Sequence, residues 1–135
     1  LKGGARLIST NPDHNVDASV DGSHRVLPGG GALVAPFAVA TGVAPVTIGK
    51  PQSLLFEMAM SRLGTSAGEC LMVGDRPDTD IAGAAALGMC TALVRTGRFA
   101  PGDPWPDKLP MPDWDVPTLS HLLDELYVAF PGWLD

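Results

Sequence analysis

The stretch CLMVGDRPDTDIAGAAALGM, residues 70–89, decides the fold. It opens with an apolar run of strand length, residues 70–73, after which Gly74 and Asp75 begin a polar turn. An Ala-rich helix is predicted at about residues 79–87, and another apolar strand follows at 91–94. Continuous apolar strands that alternate with helices are typical of a parallel sheet covered on both faces, so the sequence predicts an α/β fold.

The alternation of strands and helices extends in both directions from this stretch. The other predicted elements are a strand at residues 5–10, loops or a hairpin at 11–31, a helix at 31–41, a strand at 46–48, a helix at 51–64, a strand at 114–116 and a helix at 119–130. The last helix has the clearest apolar stripe.

The length of 135 residues allows one ordinary domain. Hydrophobic residues make up 45% of the chain and charged residues 18%, with a net charge of −6, which is apolar and weakly charged for a free domain. A biased composition rich in Ala, Gly and Pro is one explanation. The other is that the chain is a piece whose neighbours are missing, and the first residue, Leu1, favours it.

Several classes of protein are excluded by the sequence. The acidic charge is concentrated from Asp103 onward, and no basic face remains for nucleic acid. No run of 18 apolar residues predicts a membrane span, and no leader supports secretion. Cys70 and Cys90 lie in apolar runs without metal-ligand spacing, which favours reduced, buried thiols in a cytoplasmic protein.

Carboxylates follow the predicted strand at 70–73, at the sheet end where open parallel sheets bind ligands. Asp75 comes first, Asp78 and Asp80 are close to it in sequence, and no His or Cys accompanies them. Such oxygen donors suit Mg²⁺. For Asp78 or Thr79, capping of the following helix is the favoured interpretation.

A lysine follows another predicted strand, residues 46–48. On its own, Lys50 would be a surface lysine. Because its strand is predicted in the same sheet as the strand before Asp75, Lys50 becomes a candidate phosphate binder, and the pair indicates phosphoryl chemistry. The glycines of residues 28–31 also suit a phosphate, but a tight entry into the next helix is favoured because no P-loop motif surrounds them.

Five runs of residues stand out along the chain. They are STNPD at 9–13, LPGGGALV at 27–34, ATG at 40–42, IGKP at 48–51 and MVGDRPDTDIAGAAALGM at 72–89. Their order and spacing resemble the C-terminal half of a phosphatase of the haloacid dehalogenase (HAD) superfamily. The resemblance is to the branch of NagD-like, p-nitrophenyl-phosphatase-like and phosphoglycolate-phosphatase-like enzymes, and it covers about residues 3–100.

The resemblance implies a fold and a role for individual residues. Residues 1–45 would be the end of an α/β cap domain, and residues 46–135 the later half of a core with a Rossmann-like parallel sheet. Asp75 would be the direct Mg²⁺ ligand and Asp80 the supporting acid that holds a metal-bound water or Lys50. Lys50 would be the lysine of the third of the family's four sequence motifs, and it would also contact the substrate. The residues of the cap loop that faces the substrate would be Asn11, Asp13 and His14.

The family nucleophile, in an Asp-x-Asp motif after the first core strand, has no counterpart in this sequence. The Asp-x-Asp triplets present are residues 78–80, which belong to the fourth motif, and 113–115, in the Pro-rich tail. The resemblance therefore implies a fragment, inactive alone, of a cytoplasmic, Mg²⁺-dependent phosphatase that hydrolyses small phosphomonoesters through an aspartyl-phosphate. Its partner would be a small phosphorylated metabolite.

An alternative function stays open beside the phosphatase. The chain would then be a non-catalytic phosphate- or metal-binding module, or a subunit that completes another chain. Neither nucleic acid nor a membrane is an expected partner, and the sequence is compatible with a homo-oligomer.

Overall fold

Residues 3–132 are described by the computed structural model, and they form an α/β fold. In chain order the strands and α-helices are β1 (Ile8–Ser9), β2 (Asn15–Val20), β3 (Ser23–Pro28), α1 (Gly30–Thr41), β4 (Val46–Thr47), α2 (Ser53–Leu63), β5 (Leu71–Gly74), α3 (Ala82–Ala85), β6 (Cys90–Val94), β7 (Trp114–Val116) and α4 (Leu119–Ala129). The predicted α/β class with parallel strands is confirmed.

The chain divides into two compact units, the first ending at Met58 and the second beginning at Ala59. This division falls inside α2. The predicted division between a cap remnant at 1–45 and a core at 46–135 stays a prediction. None of the helices in residues 3–132 has the length and apolar character needed to cross a membrane.

The first unit contains a hairpin and a short parallel pair of strands. β2 and β3 pair antiparallel from Asn15 opposite Pro28 to Val20 opposite Ser23. The connecting residues, Asp21 and Gly22, both have positive φ, which is the conformation that a tight two-residue hairpin turn requires. β1 pairs in parallel with β4.

Helix α1 begins against the loop that precedes the hairpin. The backbone N–H of Gly31 donates to the carbonyl O of Asp13 at 2.9 Å, and the N–H of Gly29 donates to the carbonyl O of His14 at 3.0 Å. A Cβ at Gly29 or Gly31 would overlap the carbonyl groups of this loop. The prediction that residues 28–31 form a tight entry into a helix is therefore confirmed.

The second unit is built on the parallel sheet β5-β6-β7. Gly74 lies opposite Leu93, and Val94 opposite Val116. On one face of this sheet, α4 contributes Leu122 to an apolar cluster, where it is 1% exposed. The other buried members of the cluster are Ala92, Val116 and Leu126.

The placement of β4 corrects one prediction. The sequence placed the strand before Lys50 in the same sheet as the strand before Asp75, but β4 pairs with β1 and β5 pairs with β6. The physical reason is that the backbone N–H of Val46 donates to the carbonyl O of Leu7, just before β1, at 2.8 Å, and the N–H of Ile48 donates to that of Ser9, in β1, at 3.0 Å. These hydrogen bonds tie β4 into the first unit.

Two further predictions are wrong in detail. The helix predicted at 79–87 is a π-helical turn, Pro77–Ile81, followed by the four residues of α3. Cys90, predicted to be buried, is exposed because it is the first residue of β6, at the end of the sheet. Cys70 is half-buried, with its Sγ 3.1 Å from the hydroxyl of Thr65.

We expect Leu122→Ala to lower the free energy of unfolding by about 2–5 kcal/mol, because it leaves a cavity in the apolar cluster. Leu119→Ala is the matched control, since Leu119 lies on the same helix and is 55% exposed. Urea unfolding followed by circular dichroism measures both changes. Equal losses for the two variants would contradict the placement of the core.

Candidate active site

The carboxyl end of β5 is closed by the side chain of Asp80. Its Oδ2 accepts hydrogen bonds from the backbone N–H groups of Asp75 and Arg76, both at 3.1 Å. Asp80 is only 3% exposed. A buried carboxylate is stable only with such donors, and hydrogen bonds to an ionised acceptor are stronger than neutral ones. The structure therefore brings Asp75 and Asp80 together, and Asp80 holds the turn that carries Asp75. The predicted role of Asp80, to hold a metal-bound water or Lys50, stays a prediction.

The close approach of Asp80 requires a glycine at the last position of β5. A Cβ on Gly74 would overlap Oδ2 of Asp80 and would lie 2.5 Å from its Cγ. The pairing of Gly74 in the sheet holds the backbone in place, so a side chain there would have to displace Asp80.

The π-helical turn brings Asp80 to this position. The N–H of Asp80 and the N–H of Ile81 both donate to the carbonyl O of Arg76, at 3.0 and 3.2 Å. Two successive donors on one carbonyl widen the helix by one residue locally. Such π-helical turns recur at functional sites.

The interpretation of Asp78 or Thr79 as the helix cap is wrong. The residue before the π-helical turn is Arg76, and no side chain caps it. Asp78 instead pairs with the guanidinium of Arg76, with Nη2 and Oδ2 2.8 Å apart. This hydrogen bond from Arg76 lowers the pKa of Asp78 below its usual range. Thr79 is buried.

The carboxylate of Asp75 is held by a backbone donor from another loop. The N–H of Arg98 donates to its Oδ2 at 2.7 Å. Asp75 is half-buried and lines a cavity of about 440 Å³ together with Arg76, Pro77, Asp78, Arg98, Phe99, Pro106 and Leu109. Asp75 thus combines a fixed carboxylate with adjoining space for a ligand.

The predicted substrate-facing residues lie together in the first unit. Asn11 uses its Oδ1 to accept from the N–H of Asp13 at 3.1 Å, and the hydroxyl of Ser9 donates to its carbonyl O at 2.6 Å. His14 is exposed. The structure therefore places all three residues in the loop between β1 and β2, against the start of α1, and their contact with a substrate stays a prediction.

Lys50 lies just after β4 and is exposed. The preceding Gly49 is buried, and a Cβ there would overlap the carbonyl O of Thr10. Lys50 belongs to the first unit, whereas Asp75 and Asp80 belong to the second. The pairing of the lysine with these acids therefore stays a prediction.

The other Asp-x-Asp triplet, residues 113–115, has structural partners. Asp113 accepts from the N–H and the hydroxyl of Thr91, at 2.8 and 3.1 Å. Asp115 accepts two hydrogen bonds from the guanidinium of Arg95, both at 2.6 Å. The Asp115 carboxylate raises the pKa of Arg95 further above its usual range. Both acids therefore hold β6 and β7 together.

Sequence reasoning missed the residues that hold Asp75 from outside its own turn. Gly97 and Arg98 follow β6, and Arg95 supports the same segment. The available signal was their position, because the segments after neighbouring parallel strands meet at one edge of the sheet. The contact itself uses a backbone N–H, and no side-chain pattern reports that.

The donor set at Asp75 fits a hard divalent cation. Its carboxylate offers oxygen, and Mg²⁺ takes only one or two carboxylates from a protein, with waters and substrate oxygens completing its coordination. Within residues 3–132 no group of three or more His, Cys, Asp or Glu side chains is arranged to hold a metal.

A parallel sheet with a fixed carboxylate at the carboxyl end of a strand is an α/β arrangement that places a candidate ligand site at the edge of the sheet. The chain belongs to the HAD-hydrolase-like family, whose family model matches residues 47–122. The resemblance stated from the motifs is thereby confirmed.

Individual relatives are phosphatases and a nucleotidase. The chain is 47% identical over 97 residues to the 5′-nucleotidase YutF of Bacillus subtilis, a match covering 72% of this chain and 36% of that protein. It is similar to a p-nitrophenyl phosphatase structure from Archaeoglobus fulgidus, with a TM-score of 0.76 and 30% identity, over 93% of this chain and 48% of the other.

A further structure is that of a glycerol phosphate phosphatase from Mycobacterium tuberculosis in complex with magnesium. Its TM-score is 0.61 and its identity 38%, over 72% of this chain and 28% of that chain. In each comparison the chain spans less than half the length of the relative.

We expect Asp80→Ala to lower the free energy of unfolding by about 2 kcal/mol or more, because two N–H groups lose their acceptor. Asp78→Ala, in the same turn, should cost no more than about 1 kcal/mol, because its ion pair with Arg76 is exposed. Thermal unfolding measures both.

Hydrogen exchange supplies a local measurement for the same pair of variants. The amides of Asp75 and Arg76 should exchange faster in Asp80→Ala than in the wild type. Their exchange rates should be unchanged in Asp78→Ala. Equal protection of these two amides in both variants would show that Asp80 does not hold the turn.

Proposed function

We propose that the chain is part of a Mg²⁺-dependent phosphatase that hydrolyses small phosphomonoesters. The observation that carries the proposal is the geometry of Asp75. It follows a parallel strand, its Oδ2 is fixed by the N–H of Arg98 at 2.7 Å, and it lines a cavity of about 440 Å³. Membership of the HAD-hydrolase-like family supports the same reaction class.

In this proposal Asp75 is the protein ligand of Mg²⁺. The bound ion would hold the transferring phosphoryl group in line with its nucleophile and neutralise its charge. Asp80 keeps the backbone of Asp75 in place through its two hydrogen bonds. The magnesium complex of the glycerol phosphate phosphatase supports the choice of metal.

Lys50 is proposed to bind the anionic substrate and to balance the negative charge around the reacting phosphoryl group. Lys50 is an exposed residue. Lys50 is proposed to be the lysine of the family's third motif, and the cap loop that faces the substrate is proposed to contain Asn11, Asp13 and His14. Residues 1–45 are proposed as the cap remnant and 46–135 as the later half of the core.

The nucleophile is proposed to lie outside these 135 residues. An aspartyl-phosphate would form when a carboxylate oxygen attacks phosphorus and the alcohol leaves, and water would then release phosphate. Both Asp-x-Asp triplets of the chain already have structural roles, with Asp80, Asp113 and Asp115 all accepting hydrogen bonds within the fold. The chain alone is therefore proposed to be inactive.

Two observations support the proposal that the chain is a fragment. It spans between 28% and 48% of the length of the relatives compared. Many large apolar side chains are exposed, with Leu33 of α1 at 62% and Phe37 at 60%. A larger protein would cover such surfaces.

The short span also favours a second candidate function. The chain would bind phosphate or a metal without catalysis, or would complete another chain as its subunit. The intact mass of the natural protein, compared with the reading frame that contains this sequence, separates a fragment from a natural short chain.

We expect the complete product of that reading frame to hydrolyse p-nitrophenyl phosphate only with Mg²⁺ present. Asp75→Asn should lower kcat by about 100-fold or more, because it weakens the metal site and removes charge stabilisation in the transition state. Steady-state kinetics over a range of Mg²⁺ concentrations measures the effect.

Asp124→Asn is the matched control, because Asp124 is an exposed carboxylate on α4. It should leave activity unchanged. Full activity of Asp75→Asn, or activity of the wild type that survives chelation of the metal, would refute the assignment of Asp75. Phosphate or metal binding without any hydrolysis would favour the second candidate function.

A further inference from the structure

The segment after β6, residues 95–103, forms a loop that contacts Asp75; it is called the 95–103 loop below. The N–H of Arg98 donates to Oδ2 of Asp75 at 2.7 Å. The other oxygen, Oδ1, accepts no hydrogen bond from residues 3–132, the part of the chain that the structure describes. The loop therefore fixes one carboxylate oxygen and leaves the other for a ligand.

Gly97 allows the loop to approach this closely. A Cβ at this position would overlap Oδ2 of Asp75 and would lie 2.5 Å from its Cγ. Gly97 is not among the glycines with positive φ, so its backbone conformation is open to any residue. The contact with Asp75 is thus the constraint that demands glycine here.

Arg95 holds the shape of the loop. Its Nε and Nη2 donate to the two carboxylate oxygens of Asp115 on β7, both at 2.6 Å. Its Nη1 donates to the carbonyl groups of Ala100 and Asp103, at 3.0 and 3.2 Å. The guanidinium also lies 4.8 Å from the ring centroid of Phe99.

These contacts need a planar fork of donors. A guanidinium can pair with both oxygens of a carboxylate and still donate to backbone carbonyls, whereas an ammonium group acts as a point charge. Arg95 therefore links the sheet, through Asp115, to the loop that reaches Asp75.

We propose that the 95–103 loop is a positioning element for Asp75, with Gly97 and Arg95 as its positioning residues. The loop holds the carboxylate by Oδ2 so that Oδ1 is presented to a divalent cation. The inference rests on the proposed function, which places that cation at Asp75. A carboxylate already held in one orientation loses less conformational freedom when the ion binds.

The alternative is that the loop only packs against Asp75 and stabilises the fold. A positioning role affects the affinity for metal, whereas a packing role affects only the stability of the fold. Supporting residues around metal ligands typically contribute about 10- to 100-fold to metal affinity.

The test compares Gly97→Ala with Gly68→Ala in the complete product of the reading frame. Gly68 is the matched control, because a Cβ there would meet no atom within 4 Å and its φ is not positive. Mn²⁺ serves as the probe, and electron paramagnetic resonance measures the free ion. We expect Gly97→Ala to weaken Mn²⁺ binding by about 10-fold or more and Gly68→Ala to leave it unchanged.

Arg95→Lys is the second variant, because it keeps the positive charge and loses the planar set of N–H donors. It should also weaken Mn²⁺ binding and raise the Mg²⁺ concentration needed for half-maximal activity, with a smaller change in kcat at saturating metal. Wild-type affinity for Mn²⁺ in folded Gly97→Ala or Arg95→Lys would overturn the inference.

A measurement on the unaltered protein covers the case in which the variants do not fold. During a Mg²⁺ titration followed by NMR, the Arg98 amide should shift with the binding curve, and the Gly68 amide should not. An Arg98 amide that stays fixed at saturation would overturn the inference.

The failure of the proposed function has a different signature. If the wild type shows no Mg²⁺-dependent hydrolysis, and if Asp75→Asn does not change its Mn²⁺ binding, the proposed metal site at Asp75 is refuted. If the wild type is active and its Mn²⁺ binding is weakened by Asp75→Asn but not by Gly97→Ala or Arg95→Lys, only the role of the 95–103 loop is refuted.

Discussion

Asp80 is buried, and its carboxylate accepts hydrogen bonds from the backbone N–H groups of Asp75 and Arg76. The acid needs donors because it has lost water, and the two amides need an acceptor because β5 has ended. Each need is met by the other group, and the rest of the strand end follows from this pairing. Gly74 is required so that Asp80 can approach, and the π-helical turn Pro77–Ile81 brings the acid back over the end of β5.

The site is assembled from segments that are distant in sequence. Asp75 and Arg98 are 23 positions apart, and Arg95 is 20 positions from Asp115. Parallel pairing of β5, β6 and β7 brings the segments after their carboxyl ends to one edge of the sheet. Asp75 is consequently fixed both from its own turn and from the 95–103 loop. A fixed carboxylate beside a cavity suits the binding of a metal ion.

Much of this arrangement was predictable from the sequence, because apolar runs, glycines and strand-end acids carry strong local signals. The strands, the parallel sheet and the nearness of Asp75 to Asp80 belong to that part. The partner of β4 was not predictable, since a strand of two residues has no periodicity that identifies its sheet. The prediction of Asp78 or Thr79 as the helix cap was wrong because both residues lie inside the π-helical turn and not before it. The contact from Arg98 was missed because it is made by a backbone N–H.

The proposal that Asp75 binds a divalent cation is tested most directly by a crystal structure of the complete protein grown with Mn²⁺ and analysed by anomalous scattering. We expect an anomalous peak within coordination distance of Oδ1 of Asp75, with Oδ2 still bonded to the N–H of Arg98. A well-occupied Mn²⁺ site elsewhere in the protein, with Asp75 unliganded, would contradict it.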